Sequence, residues 1–194
     1  VISTRMLSLH ENIEQDLATR IISLLEAGQH VSLITDAGTP AVSDPGARLV
    51  ERVQAAGLPV VPVPGPCAAV TALSVSGLTM GQFHFVGFLP GKSSARQAAI
   101  EGLRGEEATL VFYEAPHRIR ECIEDIVAVL EPEREIVFCR ELTKLFEQIA
   151  RMPLGAALSW LAEDANRSRG EFVLLVGAAP ASEGVSVEAC RVLG

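Results

Sequence analysis

The apolar positions of this chain change rhythm along its length. Between Asn12 and Ala27, Leu17, Ile21, Leu24 and Leu25 recur at helical spacing, with Asn12 placed to cap the start and Gly28 to end it. From His30 to Thr35 the pattern becomes a short apolar run of the kind a buried strand shows. A helix is predicted over 45–56, with Asp44 at its cap, Pro45 in its first turn and Gly57 after its end. Pro59 to Val63 reads as a second short strand. The stretch PGPCAAVTALSVSG reads as a turn and an alanine-rich helix that stops at Gly77. Helices and strands alternate in this half, the order expected of a parallel sheet with helices on its faces.

A linker over 78–82 leads to a second unit. Strands are predicted at 83–88, 108–113, 135–140 and 171–176, with an extended stretch at 145–150. Helices are predicted at 95–103, at 117–130 behind Pro116, and at 153–162. More strands and fewer helices point to a mixed sheet. The resulting division is an N-terminal α/β domain at 1–79, a C-terminal α/β domain at 80–178 and a tail at 179–194.

The 194 residues are 48% apolar, with mean hydropathy +0.31, so a sizeable core can form and disorder is disfavoured. No apolar run approaches the roughly 18 residues of a membrane span, and no signal-peptide pattern opens the chain. Cys67, Cys122, Cys139 and Cys190 show no paired spacing, which fits reduced thiols and a cytoplasmic setting better than disulfides or zinc. The histidines are scattered, with no metal-ligand spacing. The net charge of −8 weighs against a protein that coats nucleic acid non-specifically, but leaves room for a local basic patch.

Four clusters carry candidate chemistry. The first, Asp36 to Gly46, packs two glycines, two prolines and two aspartates into the loop behind the first predicted strand, where open α/β sheets bind ligands. Gly38 and Gly46 permit backbone conformations closed to other residues. The second is the rigid turn Pro64-Gly65-Pro66-Cys67-Ala68-Ala69, whose free amides at a helix start suit a polar or anionic group. The third is Tyr113-Glu114-Ala115-Pro116-His117-Arg118, where a buried strand emerges. The fourth is Arg140-Glu141-Leu142-Thr143-Lys144, a charge group placed to bind phosphate and orient a hydroxyl, or simply a solvated surface run.

In order along the chain, DAGTPAVSDPG, VPGPCAA, FVGFLP, FYEAPHRI, RELTK and GEFVLLV resemble the ribosomal RNA small subunit methyltransferase I family, a branch of the tetrapyrrole methylases. The resemblance runs from Leu7 to Val176. It implies a two-domain tetrapyrrole-methylase-like α/β fold, with a parallel-sheet N-terminal domain, a mixed-sheet C-terminal domain and a cofactor crevice between them. It also implies S-adenosylmethionine as methyl donor, a homodimer, and transfer to a cytidine ribose 2′-OH in 16S ribosomal RNA of the small subunit, with no membrane partner. The residues expected to line the cofactor are Asp36, Ala37, Gly38, Thr39, Val42, Cys67, Ala68, Tyr113, Glu114, Ala115, Gly170 and Glu171. Glu141 and Lys144 are expected as proton acceptors, with Arg140 on a flanking phosphate; no metal is expected.

Members of the family carry an opening strand and a C-terminal helical region beyond the segments matched here, so the chain reads as a truncated form. A cationic strip of Arg96, Arg118, Arg140, Lys144, Arg151, Arg167 and Arg169 is expected to meet RNA. The alternatives are a precorrin-type tetrapyrrole C-methyltransferase and a cofactor-binding but inactive form.

Overall fold

The fold was taken from a computed structural model, which describes residues 5–9, 14–78 and 81–180. The chain divides into two compact units, Val1–Ala68 and Ala69–Gly194. The second unit therefore takes in the helix that the sequence places before its linker.

In the first unit, helix α1 spans Glu14–Glu26 and helix α2 spans Ala47–Ala55. They pack through Ala18 and Ile21 on α1 and Leu49 and Val53 on α2, with Leu17, Ile22, Leu25 and Leu58 around them. The α1 residues recur at the helical spacing seen in the sequence. Asn12, the expected cap of α1, lies outside the described residues. Asp44 does not cap α2. That position belongs to Gly46, at φ 132°, which has no side chain to cap the helix.

The two strands expected in this unit are not formed among the described residues. Residues 30–35 and 59–63 run without regular structure. Val61 and Val63 are 79% and 81% exposed. A strand exists only when a neighbour completes its hydrogen-bond ladder, and no described segment pairs with either run.

The second unit opens with helix α3 (Ala68–Ser76), closed by Gly77 at φ 66°. Strand β1 (Phe83–Phe88), helix α4 (Ser93–Glu101), strand β2 (Thr109–Glu114) and helix α5 (Ile119–Val129) follow. Strands β3 (Glu135–Arg140) and β4 (Gln148–Pro153) form a hairpin, a short 3₁₀ turn leads into helix α6 (Ala157–Glu163), and β5 (Phe172–Val176) completes the sheet. The strand order is β1-β2-β5-β3-β4. β1 and β2 are parallel and the remaining pairs antiparallel, so the sheet is mixed as expected.

Alternation sets the core. Leu110 and Phe112 of β2, Leu174 and Val176 of β5, and Ile136 and Phe138 of β3 share one face. They pack against Ile100 of α4, Cys122, Ile123 and Ile126 of α5, and Ala157 and Leu161 of α6. The opposite row, Val111, Leu175, Val137 and Cys139, is buried as well. Between their polar ends, β2 and β3 are therefore apolar on both faces, as is the whole of β5, and they read as continuous apolar runs. In β1 the register shifts between Phe85 and Gly87, and Gly87 takes φ 75°, a bulge that only glycine enters without strain.

Candidate functional site

Within the first unit, the loop after residue 35 makes four excursions into positive φ: Gly38 at 78°, Ala41 at 66°, Ser43 at 54° and Gly46 at 132°. Two of these are alanine and serine, for which the left-handed region is costly. The glycines are there for space as well. A Cβ at Gly46 would come within 2.8 Å of the Leu33 side chain. The Thr39 hydroxyl donates to the Pro66 carbonyl at 3.1 Å, which draws the first loop against the Pro64–Cys67 turn. A Cβ at Gly65 would lie 3.4 Å from Thr39 Oγ1, so the approach is close. Asp36, Ala37, Gly38 and Val42 are exposed, and Thr39 and Cys67 half-buried. The two motifs that the sequence singles out separately thus form one backbone-rich surface.

The second unit builds two further clusters, beginning at the C-terminal ends of β1 and β2. The Tyr113 hydroxyl accepts from the Ala69 amide at 3.1 Å, at the start of α3. Tyr113 also packs edge-to-face on Phe85 and on Phe88. Glu114 differs from the expectation of a ligand-facing carboxylate, because its side chain is fully buried. It accepts from the Ala115 amide at 2.8 Å and from Arg118 at 3.4 Å. Only its backbone and its neighbours remain available to a cofactor.

The second of these clusters joins the β3–β4 hairpin to the start of β5. Glu141 and Thr143 both take positive φ, at 51° and 65°. The Glu141 amide donates to the Glu171 carbonyl at 2.9 Å, and the Glu171 amide donates back to Glu141 Oε1 at 2.8 Å. Lys144 Nζ donates to Glu141 Oε1 at 3.1 Å and to Glu171 Oε2 at 2.8 Å. Gly170, at φ 87°, leaves room for this arrangement: a Cβ there would sit 2.7 Å from both Cδ and Oε1 of Glu141. Residues expected at the cofactor (Gly170, Glu171) and at the reacting hydroxyl (Glu141, Lys144) therefore form one tight network.

The charges respond accordingly. The Glu171 amide and then the Lys144 ammonium hold the Glu141 carboxyl below its ordinary range. Glu171 and then Glu141 raise the Lys144 ammonium above its own. Burial pushes the Cys139 thiol up to about 12, so it stays protonated and non-nucleophilic near neutrality.

The expected cationic strip does not survive as a row of free charges. Arg96 is 1% exposed, donating to Asp125 at 2.6 Å and to the carbonyls of Pro90 and Gly91. Arg118 donates to the Leu89 and Pro90 carbonyls. Arg140 holds Gln148 and the Arg169 carbonyl, Arg151 pairs with Glu135, and Arg167 binds Glu163 and lies over the Trp160 ring. Arg96 and Arg118, which hold the carbonyls of the β1–α4 loop and the buried Asp125 and Glu114 carboxylates, are structural groups, whereas Arg151 and Arg167 pair with exposed carboxylates; the spacing of basic residues along a chain carries no signal of that.

Chain similarity gives this geometry its context. Residues 2–158 match the family described as tetrapyrrole (corrin/porphyrin) methylases. The chain is 46% identical to the ribosomal RNA small subunit methyltransferase I of Escherichia coli O157:H7, over 99% of this chain and 68% of that protein. It is 50% identical to the protein of the same name from Vibrio cholerae, over 90% of this chain and 61% of that one. Among solved structures, the methyltransferase CobJ superposes with TM-score 0.64 at 23% identity, covering 92% of this chain and 78% of that one. A Thermus thermophilus uroporphyrin-III C-methyltransferase complexed with S-adenosylhomocysteine superposes with TM-score 0.56 at 18% identity, covering 84% and 73%. No helix among the described residues is long and apolar enough to cross a membrane. The chain belongs to the tetrapyrrole methylases and, within them, to the ribosomal RNA small subunit methyltransferase I family.

Proposed function

We propose that the protein binds S-adenosylmethionine and transfers its methyl group to the ribose 2′-OH of a cytidine in 16S ribosomal RNA. The observation that carries this reading is the 46% identity over 99% of the chain to a ribosomal RNA small subunit methyltransferase I. A cytoplasmic homodimer acting on RNA of the small subunit belongs to the same reading.

The residues present fit the methyl donor. The positive-φ loop at 38–46 exposes backbone to a ligand, Asp36 offers an exposed carboxylate for ribose hydroxyls, and Thr39 ties the loop to the turn before Cys67 and Ala68. When bound, the donor supplies an already activated methyl carbon, so transfer to a hydroxyl requires alignment and the removal of one proton. Tyr113 and the backbone at 114–115 sit at the end of β2, where parallel strands present ligands.

Of the expected proton acceptors, we assign the role to Glu141 rather than Lys144. Lys144 has its ammonium stabilised by two carboxylates and must lose that stabilisation to act as a base. Glu141 is already ionised near neutrality. Arg140, tied to Gln148 and the Arg169 carbonyl, can turn toward a flanking phosphate only by giving up those bonds.

The test is calorimetric titration with S-adenosylhomocysteine, followed by methyl incorporation into small subunits lacking the modification and mapping of the methylated nucleotide. Micromolar binding, about −8 kcal/mol, with label on a cytidine 2′-oxygen bears the reading out. Binding with label on a porphyrin-type ring carbon, and none on RNA, replaces it. Glu141→Gln should lower turnover by about 10²-fold or more with S-adenosylhomocysteine affinity unchanged.

A further inference from the structure

The loop between β1 and α4 is held unusually firmly. The carbonyls of Leu89, Pro90 and Gly91 are all taken by the guanidiniums of Arg96 and Arg118. Arg96 is anchored in turn by Asp125, which Ser93 and Gln97 also bond at 2.8 and 2.6 Å. Arg118 comes from the loop after β2 and bonds Glu114, so the C-terminal loops of two neighbouring parallel strands are fastened together. With its carbonyls engaged, the loop presents two groups outward. Phe88 is 54% exposed, yet its ring is fixed edge-to-face on Tyr113 at 5.7 Å. Lys92, four residues on, is exposed, and among the described residues its ammonium has no hydrogen-bond or ion-pair partner. The chain's other lysine, Lys144, is held by two carboxylates, so the exposed Phe146 near it has no free cation from that lysine.

An exposed, packed aromatic ring and an exposed cation four residues on are the two groups by which proteins hold single-stranded nucleic acid: the ring stacks on a base and the cation meets a phosphate. From this, and resting on the function proposed above, we infer that the Phe88–Lys92 loop is a contact site for a single-stranded RNA nucleotide. Phe88 stacks on its base and Lys92 pairs with an adjacent phosphate. Arg96 and Arg118 act as positioning residues that keep the loop in place. An unstacked nucleotide held at the strand ends is what methylation of a ribose inside folded RNA requires.

The experiment uses the whole chain and a fluorescein-labelled single-stranded RNA of about ten nucleotides. Anisotropy is followed from about 50 to 200 mM salt, with S-adenosylhomocysteine titrated in parallel. Phe88→Leu keeps apolar packing on Tyr113 and loses stacking, so affinity should fall about tenfold, while Phe88→Trp restores it. Lys92→Gln should flatten the slope of log affinity against log salt by about 0.7. Arg120→Gln, a charge change on the exposed face of α5, should flatten it less. RNA affinity and salt slope unchanged in both Phe88→Leu and Lys92→Gln would overturn the site. So would wild-type chain that binds S-adenosylhomocysteine but no RNA, and in both cases the methyltransferase reading would stand. Failure of wild type to bind S-adenosylhomocysteine counts against that reading itself.

Discussion

The two lysines of this protein sit on loops built in opposite ways. In the β1–α4 loop, the buried Arg96 and the half-buried Arg118 satisfy the backbone, and Lys92 is left without a partner among the described residues. In the β3–β4 hairpin the backbone is strained at Glu141 and Thr143, and Lys144 itself is part of the clasp, bonded to Glu141 and Glu171. The contrast separates two meanings of a basic residue near a strand end. Burial of the anchoring charge under the first loop makes its rigidity expensive to disrupt. The clasp of the second is exposed to solvent and depends on local geometry.

The largest expected effect breaks the anchor of the first loop. Asp125→Ala leaves Arg96 buried without its carboxylate, and should lower unfolding free energy by about 3–5 kcal/mol in urea denaturation. A loss under about 1 kcal/mol would show that Arg96 and Asp125 do not hold the loop.

Next comes the clasp. Gly170→Ala must place a Cβ against Glu141 at φ 87°, and should cost about 1–3 kcal/mol. Adding Glu141→Ala removes the collision but not the φ strain. The double variant should therefore recover part of that loss, and strictly additive losses would contradict the packing described.

Acid sharpens the comparison. Burial opposes ionisation of Asp125, but hydrogen bonds from Gln97, Ser93 and Arg96 outweigh it and hold the carboxyl below its ordinary value. A folded pKa below the unfolded one, about 3.9, contributes stability that is complete above that pH and disappears as pH falls through the folded value. Stability of the wild type should thus drop below about pH 4 more steeply than that of Asp125→Asn, measured as the urea midpoint against pH. Parallel curves would remove Asp125 as the source.

The smallest effect belongs to Lys144→Ala. Its bridges are exposed, so the loss should be about 0.2–1 kcal/mol and should shrink as salt is added. A salt-independent loss of several kcal/mol would make the two loops alike after all.

Much of the second unit is legible without coordinates. Strands β1 and β3 lie at the predicted residues, and β2 and β5 within one, because continuous apolar runs bounded by polar turns leave little choice. β4 lies three residues beyond its predicted stretch; Leu145 and Phe146 supply apolar signal but remain exposed at the hairpin tip. The site motifs are visible for a related reason, since glycine and proline density marks where backbone must bend or be approached. The destination of each charge is not visible. Arg96 and Lys92 look alike in a sequence, yet one is a buried brace and the other an exposed cation.

By itself, then, the sequence determined which segments are apolar, where the chain turns, and which family's loops it carries, since these depend on side-chain type and local spacing. The tertiary structure decided what depends on neighbours. It completed five strands into a mixed sheet while leaving 30–35 and 59–63 unpaired among the described residues. It gathered Glu141, Lys144, Gly170 and Glu171 into one network, and it turned Glu114, Arg96 and Arg118 inward. Hydrogen bonds and ion pairs join residues tens of positions apart, and a chain's local pattern carries no record of which partners folding will supply.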